Sequence, residues 1–161
     1  MKREENQTVE YKEAWHEKYL EWICGYANAK GGTLYIGIED GTKKPVGVKN
    51  TNKLMEDIPN SIRNTMGIVA DVSLLKKQGK DVIRIKVNAS SFPVSYQGRF
   101  HYRTGAVKMM LTGPALTQFL MEKSAAVLLV IGSVHNASSH VESIPASAEH
   151  ARMADRRLVG H

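Results

Sequence analysis

Hydrophobic and polar positions follow two different periods in the first part of this chain, and these periods predict its first helix and strand. Apolar residues recur at helical spacing over about residues 13–28, which predicts an amphipathic helix. Its inward positions are Trp15, Tyr19, Trp22, Ile23, Tyr26 and Ala27. The pair Gly31-Gly32 ends this helix. From Thr33 to Asp40 the period changes to two, so that one face of a strand carries Leu34, Ile36 and Ile38 and the other Thr33, Tyr35, Gly37 and Glu39.

The next segment predicts a turn, a short strand and a second helix. Gly41 begins the turn, and residues 45–48 (Pro-Val-Gly-Val) predict a short partner strand. A helix is predicted over about residues 52–66, with one apolar face formed by Leu54, Ile58, Ile62 and Met66. Because Pro59 lies inside it, we expect a break or a kink there.

The remaining elements predict the fold class. Apolar positions alternate over 70–74 and over 83–87, and the lysine-rich turn between them predicts a hairpin. Residues 96–102 predict another hairpin around Gln97-Gly98, and Thr112 is placed to cap a last helix. The order is helix, hairpin, helix, two hairpins, helix. It predicts a single α+β domain with a mainly antiparallel sheet and helices packed on it.

The composition changes after Lys123, which predicts a domain over 1–123 and a separate tail. All 14 lysines and all 11 aromatic residues lie in 1–123, whereas residues 124–161 contain neither. We interpret 124–161 as a disordered tail, and as an artificial or frameshifted extension. The alternative is a native C-terminal arm that packs on the domain.

Charge and cysteine content narrow the class of protein. The formal net charge is +6, which suits a polyanionic partner. Cys24 is the one cysteine, which excludes an intrachain disulfide and fits a reducing cytoplasm; helical spacing places it in the core. The longest apolar run, residues 125–132, is too short to span a bilayer. We therefore expect a soluble cytoplasmic protein with no membrane partner.

One group of candidate residues is acidic. Glu5 and Glu10 precede the first predicted helix, and Glu39-Asp40 follows the first predicted strand. Three carboxylates that meet there could bind Mg²⁺ or Mn²⁺ and support phosphodiester cleavage. We prefer Glu39 to Asp40, because strand alternation puts Asp40 on the side of Leu34. The same acids also fit a structural role, because acids are favoured before helices and in turns.

A second group of candidate residues is basic. Lysines and arginines recur in two stretches that predict contacts with the phosphates of a nucleic acid, the second of them interleaved with aromatic residues. The group consists of Lys76, Lys77, Lys80, Arg84, Lys86, Arg99, Arg103 and Lys108. The alternatives are a solvated sheet face and, for Arg103, a structural ion pair. Metal-ligand histidine spacing and a P-loop are both absent from 1–123.

Several motifs in this order resemble a known family. They are Glu10-Tyr11-Lys12, the block from Ala27 to Asp40 (Ala-Asn-Ala-Lys-Gly-Gly-Thr-Leu-Tyr-Ile-Gly-Ile-Glu-Asp), Val46-Gly47-Val48, Phe92-Pro93-Val94 and Tyr102-Arg103-Thr104-Gly105. Over about residues 4–122 the chain resembles the Schlafen AlbA-like DNA-binding domain. The resemblance implies an α+β domain that binds DNA or RNA, often as part of a bacterial transcriptional regulator or RecG-related helicase.

The resemblance also implies an alternative activity. Some Schlafen proteins are endoribonucleases that cut transfer RNA with three acidic residues, which correspond here to Glu5, Glu10 and Glu39, with Lys12 as a charge stabiliser. The Schlafen core builds its RNA groove from two lobes and carries zinc ligands, whereas this chain has one lobe and lacks those ligands. A homodimer could supply the second lobe. An oligomerisation or protein-interaction module is the third hypothesis.

Overall fold

The computed structural model describes residues 8–139, and it confirms the α+β class. The elements in chain order are β1 (Val9–Lys12), a 3-10 turn (Glu17–Tyr19), α1 (Leu20–Asn28), β2 (Gly32–Ile36), α2 (Thr51–Met66), β3 (Asp71–Lys77), β4 (Lys80–Val87), β5 (Phe100–Thr104), β6 (Val107–Leu111) and α3 (Gly113–Ser139). The chain divides into two compact units between Ser124 and Ala125. Everything described below except the second half of α3 belongs to the first unit.

Four strands form the main sheet in the order β1-β2-β4-β3. The pairs β2–β4 and β3–β4 are antiparallel, as expected, whereas β1 runs parallel to β2. β1 is missing from the sequence-based prediction, which placed Glu10-Tyr11-Lys12 immediately before a helix. A four-residue strand carries too little alternation to be recognised alone, and its partner lies beyond α1.

The register gives the sheet two different faces. Side chains of residues paired across neighbouring strands share one face. Leu34 pairs with Ile85 and Ile36 with Ile83, and these four side chains are buried in one core with α1 and α2. Tyr35 pairs with Tyr11 and with Arg84, so these three lie on the opposite face. We call this second face the open face, because no described helix packs on it. Its members on β1–β4 are Val9, Tyr11, Thr33, Tyr35, Asp71, Ser73, Leu75, Lys77, Lys80, Val82, Arg84 and Lys86; among them Val82 is buried.

The hairpin β5–β6 forms a further layer on the other side of α1. The two elements are in close contact at Gly25, where the position of a Cβ would lie at van der Waals distance, 3.5 Å, from the backbone of Tyr102 and Arg103. Phe119 of α3 packs edge-on to Tyr102 and tilted to Phe100, and it is buried. Helix α1 is therefore covered by the main sheet on one side and by this hairpin on the other, which explains why seven of its nine residues are buried.

Three predicted elements differ in detail from the structure. The first helix starts later than residue 13, with the 3-10 turn at Glu17 and the α-helix at Leu20. Residues 45–48 form no strand, only an isolated bridge between Ile38 and Pro45. Helix α2 runs without a break through Pro59. A proline removes one N–H and clashes with the preceding turn, and the burial of Ile58 and Ile62 at 0% exposure outweighs that local preference.

The predicted hairpin at 96–102 is also displaced along the chain. Tyr96 and Arg99 form an isolated bridge around Gln97-Gly98, both of which have positive φ. The longer hairpin pairs β5 with β6 around Gly105. The strand β6 was missed because three of its five side chains are exposed and it lacks the alternation of a half-buried strand.

Helix α3 continues past Lys123 to Ser139, so residues 124–139 are helical rather than irregular. Residues 140–161 lie outside the described residues, and the domain limit at 123 stays a prediction. Within the described part of the chain, the stretch Gly113–Ser133 is long and apolar enough to cross a bilayer by length and composition alone. This is weak evidence, because helices of soluble proteins meet the same criterion, and Glu122 and Lys123 lie at its centre. The cytoplasmic location stays a prediction.

Candidate functional site

Asn28, the last residue of α1, is a buried clamp between three segments. Its side-chain amide donates hydrogen bonds to the carbonyl oxygens of Val94 (2.7 Å) and His101 (2.8 Å), and its Oδ1 accepts one from the Val94 N–H (2.8 Å). It is 1% exposed. A buried amide needs all of these partners, so Asn28 fixes the 94–101 segment against α1.

The two glycines after this helix are required by close packing. Gly31 has φ +80°, and a Cβ there would lie 2.6 Å from the Val87 carbonyl oxygen. A Cβ on Gly32 would overlap the Tyr26 ring. The block that resembles the Schlafen domain therefore has a structural role in its Asn28–Gly32 part. The described contacts of these residues hold α1, β2 and the segment that leads into β5 together. The predicted helix stop is confirmed, because α1 ends at Asn28.

Glu10 is held in a network of cations on the core side of β1. Its Oε1 pairs with Lys12 Nζ at 2.8 Å and its Oε2 with an Nη atom of Arg103 at 3.3 Å. The Lys12 ammonium also lies over the rings of Tyr19 (5.7 Å) and Trp22 (5.5 Å). The register pairs Glu10 with Leu34, so its side chain points away from the open face.

Arg103 is the centre of this network. The guanidinium lies between the rings of Trp22 and Tyr26, at 4.9 and 4.8 Å from their centroids. It donates hydrogen bonds to the Gly105 carbonyl oxygen at 2.9 Å and to the Tyr26 hydroxyl. Burial raises the pKa of that hydroxyl, so Tyr26 stays neutral and accepts. The Arg103 side chain is 5% exposed, which favours the structural ion pair of the two alternatives. Its role in nucleic-acid binding stays a prediction.

The predicted three-carboxylate site is tested only in part. Glu5 lies outside the described residues, and Glu10 is engaged by two cations. Glu39 accepts a hydrogen bond from Thr42, and Gly37 at φ +98° interrupts the pleat on which the preference for Glu39 over Asp40 was based. Within residues 8–139 no three His, Cys, Asp or Glu side chains form a group that could hold a metal ion. Cleavage of transfer RNA with Mn²⁺ or Mg²⁺ by these residues stays a prediction, and loss of any such cleavage in Glu10→Ala and Glu39→Ala would support it.

The predicted basic residues separate into two sets. Lys77, Lys80, Arg84 and Lys86 share the open face. Lys76 is exposed and pairs with Asp81, whose pKa is lowered by hydrogen bonds from Lys76 and Thr51. Arg99, Arg103 and Lys108 belong to the segment on the far side of α1, where Lys108 pairs with Glu21. The structure therefore places the first set on the open face and the second set on the far side of α1, with Lys76 in neither set.

The open face also carries an aromatic pair that the sequence reasoning missed. Tyr11 and Tyr35 stack with ring centroids 5.4 Å apart and 13° between their planes. Lys43 lies over Tyr11 at 4.2 Å and Lys77 over Tyr35 at 4.9 Å. The sequence did not indicate this pair, because Tyr11 was placed in a segment before a helix and not in a strand. The two tyrosines become neighbours only through the parallel pairing of β1 with β2.

Arg84 continues the same row across the sheet. One Nη atom donates a hydrogen bond to Ser73 Oγ at 3.1 Å, while its Nε is buried and has no hydrogen-bond partner among the described residues. The open face thus combines two rings, several lysines and a half-buried guanidinium. Such a surface can contact phosphates and bases.

His101 gives the fold a predicted pH dependence. It is 6% exposed, and burial lowers its pKa, an effect that Lys108 and Arg99 reinforce and Glu21 opposes. Because the folded pKa lies below the unfolded one, the unfolded chain binds the proton more readily, and stability is lost as pH falls through the unfolded pKa. We expect the melting temperature to fall from about pH 7 to about pH 5, and to fall less in His101→Leu. The exposed His16→Leu is the control, and parallel curves for wild type and His101→Leu would contradict this assignment.

Comparisons with known proteins agree with this architecture. The family model described as Schlafen, AlbA_2 matches residues 5–112. The DIP2311 protein from Corynebacterium diphtheriae is 23% identical with a TM-score of 0.57, and the match covers 69% of this chain and 26% of that one. The N-terminal domain of a RecG-related protein from Nitrosomonas europaea is 17% identical with a TM-score of 0.52, over 69% of this chain and 83% of that one. These likenesses show the fold, and the first spans about a quarter of its relative's length. No curated protein matches the chain.

Proposed function

Since the chain belongs to the Schlafen AlbA_2 family, we propose that it is a nucleic-acid-binding module whose binding surface is the open face of the sheet. The observation that carries the proposal is the row of cations on this face, which no described helix covers. The family assignment agrees with the resemblance of the Ala27–Asp40 block. The N. europaea protein with a similar fold is described as related to an ATP-dependent DNA helicase, which is consistent with such a role.

The basic side chains of the open face suit a polyanion because they can neutralise its phosphates. Lysine and arginine that neutralise phosphates release counterions, and this supplies most sequence-independent affinity. Arginine suits phosphate because its planar guanidinium carries several donors in a fixed arrangement, and Arg84 lies half-buried on this face. Acids on or beside the face are few: Asp71 is opposite Lys86 in the register, and Asp40 pairs with Lys43 at 3.4 Å. The cations on this surface outnumber them, in keeping with the net charge of +6.

The first test is binding across a salt series. We expect the wild type to shift DNA or RNA at low salt and to lose affinity steeply as salt rises. In Arg84→Gln and Lys86→Gln the slope of log affinity against log salt should each decrease by about 0.7–0.9, the loss of one phosphate contact. Lys53→Gln is the matched control, because it removes one charge from α2, which packs on the opposite face.

Two results would contradict the proposal. One is the absence of binding to any DNA or RNA at low salt. The other is equal slopes for Lys53→Gln and the open-face variants. A stable dimer by light scattering, unchanged by nucleic acid and without any mobility shift, would favour the protein-interaction module instead.

The match spans about a quarter of the C. diphtheriae protein, so relatives of this fold occur as one part of a longer chain. We propose that the domain provides nucleic-acid recognition to a transcriptional regulator or a RecG-related, helicase-like protein in the cytoplasm.

A further inference from the structure

We infer that the open face binds unpaired nucleotides, with bases stacking on Tyr11 and Tyr35. This inference rests on the proposed function, and it adds the strandedness of the ligand and the residues that select it. Single-stranded DNA and single-stranded RNA share the required chemistry, an exposed base beside a phosphate.

The two tyrosines are presented by the regular part of the sheet. They are paired in register on neighbouring parallel strands, and both are half-buried. Their row continues through Arg84 to Ser73 across β4 and β3. The rings are therefore fixed by backbone pairing, and binding would not have to order a loop. A ring that is already ordered loses little conformational freedom when a base stacks on it.

Lysines occupy the outer faces of the two stacked tyrosine rings. Whether a base can replace them depends on the strength of the cation–π contact relative to that of base stacking. Lys43 lies over Tyr11 and Lys77 over Tyr35. An exposed cation–π contact favours the ordered lysine by a factor of about 2–5. Stacking of a base on an aromatic side chain is worth a factor of about 5–150. A base therefore displaces the ammonium group, which is then free to pair with the phosphate of the same nucleotide.

The shape of the face argues against a duplex. In a double helix the flat faces of the bases are stacked on one another and only their edges are reachable in the grooves. The major groove is about 12 Å wide and admits a helix or a two-stranded ribbon. Four strands at about 4.8 Å spacing extend over about 14 Å between the outer strands, which is too wide to enter. The tyrosines would therefore touch only the backbone of a duplex.

The test compares strandedness in the full chain. Fluorescence anisotropy is measured at low salt with a labelled single strand of about 16 nucleotides, as DNA and as RNA, and with the corresponding duplexes. We expect the wild type to bind the single strands more tightly. Tyr11→Leu and Tyr35→Leu should each weaken single-strand binding by a factor of about 5–150 and leave duplex binding within a factor of about 2. Phe92→Leu is the control, since this exposed aromatic lies in the loop near the end of α1.

The outcomes separate this inference from the proposed function. Wild-type binding of single strand and duplex with equal affinity, or single-strand binding unchanged in both tyrosine variants, overturns the stacking role while the module still binds nucleic acid. Failure of every probe to bind overturns the proposed function itself. Circular dichroism melting checks that the variants are folded, and Tyr35→Phe, which retains the ring, should rescue binding if stacking is the cause.

Discussion

Arg103→Ala is expected to lower the free energy of unfolding by about 3–5 kcal/mol. The substitution removes the guanidinium between Trp22 and Tyr26 and leaves the largely buried Glu10 carboxylate with Lys12 as its remaining partner. Breaking a buried pair costs more than the pair contributes, because a charge is left poorly compensated in the interior. Urea unfolding followed by tryptophan fluorescence measures the loss.

The adjacent cation provides a matched control. Lys108 is paired with Arg103 across the hairpin and forms an ion pair with Glu21, but its side chain is 27% exposed. Lys108→Ala should cost about 1 kcal/mol or less, the usual value for a surface pair. An Arg103→Ala protein with wild-type stability and weakened nucleic-acid binding would return Arg103 to the binding surface and contradict the structural role.

Asn28→Ala is the second substitution with a large expected effect. It leaves the N–H of Val94 and the carbonyl of His101 without their side-chain partner in the interior, and the Val94 carbonyl oxygen keeps only the weaker hydrogen bond from the Cys24 thiol at 3.3 Å. Each unsatisfied buried group costs about 1–3 kcal/mol, so we expect a loss of about 3 kcal/mol or more. Thermal and urea unfolding of the purified variant measure it.

An exposed asparagine on the second helix controls for the change of residue type. Asn60 lies on the solvent side of α2, where it accepts a hydrogen bond from Arg63 at 3.2 Å. Asn60→Ala should be close to neutral, because alanine has the higher helix propensity. A loss below about 1 kcal/mol in Asn28→Ala would mean that its hydrogen bonds are replaced by water and that the clamp is not needed.

Local signals predicted those parts of the fold whose partners are near in sequence. The β3–β4 hairpin follows from alternation on both sides of Gln78-Gly79, which adopt the positive φ that the turn requires. The length of α2 follows from its apolar stripe. By contrast, β1 pairs with a strand beyond α1, and the β5–β6 hairpin packs on that helix from far along the chain. The hydrophobic pattern of these strands does not predict their position until their partners are known.

The same limit applies to the candidate site. Alternation in β4 correctly put Arg84 and Lys86 on one face, whereas for Arg103 the sequence left phosphate contact and a structural ion pair as alternatives. Its burial depends on Glu10, 93 positions away. Nothing in the sequence around Tyr11 or Tyr35 indicates that their rings stack on each other. Local pattern predicts which face a residue occupies, but only tertiary pairing determines whether that face is covered.

The long separation between α1 and the hairpin that covers it has a consequence during protein synthesis. The Asn28 side chain meets the His101 carbonyl 73 residues later. At translation rates of about 5–20 residues per second, the nascent chain carries an uncovered α1 for about 4–15 s. During that interval Trp22 and Tyr26 lack their outer layer, and the buried amide lacks its partners. We therefore expect ribosome-associated chaperones to bind the nascent domain until β5 has emerged.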